Sequence, residues 1–120
     1  MLSVDNFYQI VSIEWREAFL QIYFEEHFKN SNIHSFNEVA PNFIYYKNYF
    51  YVIYYVEKNM IKLWPCWHNY TIIKNFCVGD YLLITPLCWD IESIEEQLWT
   101  LLPNLDNSNP KLIESIAKML

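Results

Sequence analysis

Apolar positions follow two different rhythms along the 120-residue chain. From Ser3 to about Phe28, Val4, Tyr8, Val11, Trp15, Ala18 and Ile22 recur at alternating steps of four and three, with no proline or glycine between them. That spacing lines one side of an α-helix. It predicts a long N-terminal helix over 3–28, with Ser3 as its cap and Asp5 at the positive end of its dipole. On the same projection Ile13, Leu20 and Phe24 form a second, narrow stripe on the opposite side. A helix apolar on two sides touches two things, either another helix of its own domain or a second copy of the chain, so Ile13, Leu20 and Phe24 are the candidate homodimer contact.

Between about 43 and 85 the rhythm changes to short β-branched and aromatic runs: 43–46, 49–56, 61–64, 70–76 and 81–85. Lys47-Asn48, Glu57-Lys58-Asn59 and Val78-Gly79-Asp80 separate several of them, breaks short enough for antiparallel hairpins. Gly79, the one glycine in the chain, marks a turn that needs positive φ. Lys47, Lys62 and Lys74 mark the wet side of this sheet, and by parity Tyr45, Trp64, Tyr70 and Ile72 join them. Ile44, Tyr46, Ile61, Leu63 and Ile73 then turn inward.

Helical spacing returns at the C-terminus. Asp90 precedes an Ile91, Ile94, Leu98, Leu101 stripe that Pro103 stops, predicting a helix over 91–102. Asn109 and Pro110 open a second helix to 119 along Leu112, Ile113 and Ile116. The expected fold is therefore a single α+β domain spanning 1–120. One antiparallel sheet of four to five strands, about 43–85, is covered by a long N-terminal helix and two C-terminal helices.

Composition narrows the function classes. Hydrophobic residues make up 53% and aromatic residues 19%, which excludes disorder and promises a core of large rings. A net charge of −6 argues against nucleic-acid or anionic-membrane partners, and a single glycine excludes phosphate-cradling glycine loops. The start of the chain carries no secretory signal pattern and no segment is apolar enough to span a bilayer, so a cytoplasmic protein is expected. Cys66, Cys77 and Cys88, an odd number, fit reduced and buried thiols. With His68 they form a conceivable but loosely spaced zinc set, and no metal and no cofactor are expected. Cys66 and His68, two apart, are the one thiol and base pair in reach of each other, yet bulky Trp64, Pro65 and Trp67 crowd them. No enzyme is read from this set.

Charge is distributed unevenly: residues 1–38 sum to −4, 39–79 to +3 and 80–120 to −5. Asp90, Glu92, Glu95 and Glu96 crowd one short stretch, and Glu92, Glu95, Glu96 and Trp99 share the helix side away from the leucine stripe. A tryptophan ringed by carboxylates matches an interface anchor for a basic protein, unless the ring folds sideways onto the core. A second candidate surface is the uncovered aromatic sheet side around Tyr45, Tyr51 and Trp64. The leading expectation is a small acidic inhibitor, an immunity protein or antitoxin that neutralises a basic toxin such as a nuclease. The alternative is a small-molecule binding domain whose apolar pocket lies between the aromatic sheet and the first helix.

Overall fold

The segment expected to be one long helix is a pair of strands. The computed structural model describes residues 2–28, 33–64, 76–86 and 90–120. In it Ser3 caps only a single 3-10 turn, Val4–Asn6, by accepting the Asp5 N–H at 3.3 Å. The chain then extends as β1 (Phe7–Trp15), reverses where Arg16 N–H donates to the Phe19 carbonyl at 2.9 Å, and returns as β2 (Leu20–Phe24). Ile13 pairs with Ile22 and Trp15 with Leu20. The physical reason lies in composition: this stretch is rich in β-branched and aromatic side chains, which favour extended backbone. Leu20, Ile22 and Phe24 also alternate with Gln21 and Tyr23, a strand period that the three-and-four spacing obscured.

Four more strands follow: β3 (Asn42–Tyr46), β4 (Tyr49–Glu57), β5 (Met60–Leu63) and β6 (Tyr81–Pro86). All ladders are antiparallel, and the order β1-β2-β5-β4-β3-β6 closes on itself through pairs such as Phe7 with Leu83. Among the described residues, the open four- to five-stranded sheet of an α+β domain is thus replaced by a closed six-stranded barrel with two short C-terminal helices. The run expected at 70–76 lies, except for Phe76, outside the described residues. The turns read from the sequence are present. Lys47 and Asn48 both take positive φ, 47° and 69°, the primed geometry whose twist suits a two-residue hairpin, and Gly79 has φ 94°.

Residues paired across an antiparallel ladder share a side of the sheet. One side, carrying Ile10, Leu20, Ile22, Phe24, Ile44, Tyr51, Ile53, Ile61, Leu63, Leu82 and Ile84, is buried in the barrel interior. Six strands leave room for little beyond such side chains. Full burial of each large aliphatic contributes about 2 kcal/mol. Two bulges interrupt the alternation, one between Ile10 and Ser12 and one between Ile53 and Tyr55. Each adds a residue, Val11 or Tyr54, that has no partner in the ladder.

Two helices follow, α1 (Ile91–Leu101) and α2 (Pro110–Met119), close to their expected bounds, and α2 packs on the outer side of β6. Tyr81 N–H donates to Ser115 Oγ at 2.9 Å, and Asn109 Nδ2 reaches the Tyr81 hydroxyl at 3.0 Å. Ile94, Leu98, Leu112 and Ile116 complete the same continuous core. Among the described residues no helix is long and apolar enough to cross a membrane.

Candidate functional site

Helix α1 is built so that its carboxylates stay outside. Asp90 caps it by accepting the Ser93 N–H at 2.7 Å, and Ile94 and Leu98 anchor the opposite side in the core. Glu92 and Glu96 are exposed, Glu95 is half-buried, and Trp99 is 62% exposed. The ring does not fold sideways onto the core. The helix contains no basic residue. Lys111 and Lys118 on α2 are directed elsewhere, to Asp80 and, for Lys111, to Glu114. Among the described residues none of Asp90, Glu92, Glu95 and Glu96 is in an ion pair. α1 therefore presents concentrated negative charge around a solvent-facing indole.

The aromatic sheet surface splits in two. Tyr45 does face out of the barrel, opposite Ile44, but it pairs with Leu83 on the side beneath the helices and is fully buried. Its hydroxyl donates to Asn48 Oδ1 at 3.2 Å and accepts the Asn48 N–H at 3.3 Å. Burial pushes that hydroxyl above the ordinary tyrosine value, the Asn48 N–H lowers it, and the Glu95 carboxylate raises it further. Tyr51 is also buried, with its ring centroid 6.0 Å from that of Phe76 in an edge contact. Tyr45 and Tyr51 are core residues and not a docking surface. Parity locates a side of the sheet but says nothing of what covers it.

Trp64 is exposed, as expected. It stacks on Tyr54 with centroids 4.7 Å apart and planes 19° apart, while Phe36 lies 4.9 Å away. Tyr54 in turn meets Phe19 edge-on at 5.8 Å. The Lys62 ammonium sits 4.9 Å from the Phe19 ring and 4.9 Å from the Tyr55 ring, an attraction between cation and ring face. Sequence reasoning missed Phe19, Phe36 and Tyr54 here: alternation from Ile53 turns Tyr54 outward, but its ring partners Phe19 and Phe36 come from distant parts of the chain, and the bulge that sets Tyr55 beside Lys62 has no local signature. Beside this cluster a hollow of about 600 Å³ opens between Phe28, Ile33, Tyr54, Tyr55, Glu38 and Lys58.

The remaining expectations resolve by position. Leu20 and Phe24 are interior and Ile13 packs against the core, so these three residues do not form a stripe on the surface. The pocket expected between the sheet and a first helix has lost its wall, since that helix is part of the barrel. Cys77, expected to be buried, is exposed. Cys66, His68, Cys88, Tyr70, Ile72 and Ile73 lie outside the described residues. Among the described residues no cluster of three or more potential metal ligands occurs.

No family model matches the chain, and neither the curated proteins nor the solved structures contain a significant match to it.

Proposed function

We propose that this chain is a cytoplasmic, non-enzymatic inhibitor that binds a basic protein stoichiometrically through α1. An immunity protein or antitoxin directed against a toxin such as a nuclease has this chemistry. Asp90, Glu92, Glu95 and Glu96 supply the field and Trp99 the anchor. The observation that carries the reading is the pairing of a 62% exposed tryptophan with carboxylates that no lysine or arginine of the described chain neutralises. Exposed indole is costly in isolation but valuable at the centre of an interface, where a ring of polar contacts excludes water. Like charges gathered on one helix repel each other, and a basic cleft relieves that repulsion while steering encounter. Carboxylates in such a cleft occupy the place of a nucleic acid's phosphates.

Affinity capture compared between the wild-type chain and the triple reversal Glu92→Lys, Glu95→Lys, Glu96→Lys tests this. The expected result is a basic protein retained by the wild type, lost on reversal, whose association slows as salt rises from 0.1 M, where screening acts over about 10 Å. Retention of the same partner by the triple variant overturns the reading. Trp99→Ala is expected to speed dissociation, with a loss of about 2 kcal/mol or more.

A further inference from the structure

We propose that the hollow between Leu2 and α1 receives an arginine side chain of the basic partner, an inference that rests on the reading of α1 as the interface. The hollow has a volume of about 440 Å³ and is lined by Leu2, Ser93, Glu96, Gln97, Thr100, Leu101 and Asn104. It continues the anchor surface, because Glu96 belongs both to its wall and to the acidic side that carries Trp99.

Several of its hydrogen-bonding groups are already engaged with one another. Gln97 Nε2 donates to Ser93 Oγ at 3.1 Å, and Gln97 Oε1 is taken by the Leu2 N–H at 2.7 Å. The Thr100 hydroxyl donates back to the Glu96 carbonyl at 2.9 Å, and Asn104 Nδ2 donates to the Thr100 carbonyl at 2.8 Å. These bonds use the Thr100 proton and one N–H each of Gln97 and Asn104, leaving as acceptors the Glu96 carboxylate, the Thr100 hydroxyl oxygen and the Asn104 Oδ1, beside the Ser93 hydroxyl and the second N–H of each amide. Among the described residues no cation lines the hollow, and the last turn of α1 carries no basic residue to offset the negative end of its dipole. Leu2 and Leu101 supply an apolar flank.

An occupant that brings a positive charge, several donors and an apolar stem matches the carboxylate, the neighbouring oxygens and the leucines. Arginine fits this better than lysine. Its planar guanidinium offers five N–H donors in a fixed fork, able to engage a carboxylate with two and neighbouring oxygens with others, while its methylenes lie on leucine. A lysine ammonium brings three donors and a stronger hydration shell.

The test titrates the intact chain with a short oligoarginine peptide and with an oligolysine peptide of equal length, following backbone amide resonances. Oligoarginine is expected to bind about tenfold tighter, shifting Gln97, Thr100 and Asn104. Glu96→Gln is expected to remove that preference, whereas Glu92→Gln, an equal loss of charge on the same helix outside the hollow, weakens both peptides alike. If both peptides bind equally, or Glu92→Gln and Glu96→Gln have the same effect, the arginine site is wrong and the acidic interface stands. If neither peptide binds, both fall. Thermal unfolding of each variant verifies that the fold is retained.

Discussion

Lys118 Nζ donates to the Asp80 carboxylate at 2.8 Å, fastening the last helix to the residue that opens β6. Lys111 approaches the other carboxylate oxygen at 3.4 Å, and Cys77 N–H adds a bond at 3.3 Å. The Asp80 side chain is 7% exposed, so removing it leaves the Cys77 N–H and the Lys118 ammonium without this partner and Lys111 with Glu114 alone. Asp80→Ala is expected to cost about 3 kcal/mol in urea unfolding, within the range for breaking a buried charged contact. Lys118→Met should cost under about 1 kcal/mol, because its head reaches water. Equal small losses for the two variants would show that the carboxylate is not the centre of this clamp.

Alkaline stability follows from the same region. The Asp80 carboxylate raises the Lys118 ammonium above its ordinary 10.5. Burial raises the hydroxyls of Tyr8, Tyr45 and Tyr46 above 10.0. A group whose folded value is raised holds its proton more tightly when folded. Its contribution is full below the unfolded value and is lost as pH climbs through the folded one. Stability is therefore expected to be flat from neutrality to about pH 9 and to fall above pH 10. Tyrosinate absorbance should rise in two phases, exposed rings first and buried ones together with unfolding. A single phase at the ordinary tyrosine value would contradict the burial of Tyr45 and Tyr46.

Thr85 is fully buried, and its hydroxyl has no hydrogen-bond partner among the described residues. A buried hydroxyl left unpaired costs about 1–3 kcal/mol. Thr85→Val keeps the shape and removes that cost, so the variant should be more stable by about 1 kcal/mol in chemical denaturation. A loss of stability would mean that the hydroxyl is satisfied in solution.

Lys47 occupies the left-handed region at φ 47° in the β3–β4 turn, and its side chain is exposed. Asparagine tolerates this region better than lysine. Lys47→Asn should raise stability by about 0.5 kcal/mol without altering the two C-terminal helices, measurable as a small rise in the thermal midpoint.

Local chemistry was legible and distant chemistry was not. Lys47-Asn48, Glu57-Lys58-Asn59 and Gly79 mark real turns because turn residues act on their own backbone. Asp90, Asn109 and Pro110 mark helix starts for the same reason. The N-terminal hairpin was misread because Val4, Tyr8, Val11 and Trp15 satisfy a helical spacing while Leu20, Ile22 and Phe24 satisfy a strand period. The apparent second apolar side through Ile13, Leu20 and Phe24 was in fact the sign of that conflict. Closure of the barrel depends on β1 meeting β6, a pairing no window of sequence contains. Within the candidate site, helical spacing set Trp99 on the side away from the leucine stripe but left open whether its ring folds onto the core, whereas the cover over Tyr45 depends on distant elements and the outward turn of Tyr55 on a bulge.

The ladder joining Phe7 to Leu83 also orders events in time. During synthesis the first hairpin leaves the ribosome long before its closing strand exists, and β1 carries bare backbone donors and acceptors until β6 arrives. Contacts so far apart in sequence form slowly. For that interval the nascent chain is a strand-edge donor to any neighbour, so yield in a cell depends on dilution and on chaperones that shield the β1 edge. Joining β6 ahead of β1 by circular permutation would shorten that interval, and aggregation during expression should fall even if the finished barrel is no more stable.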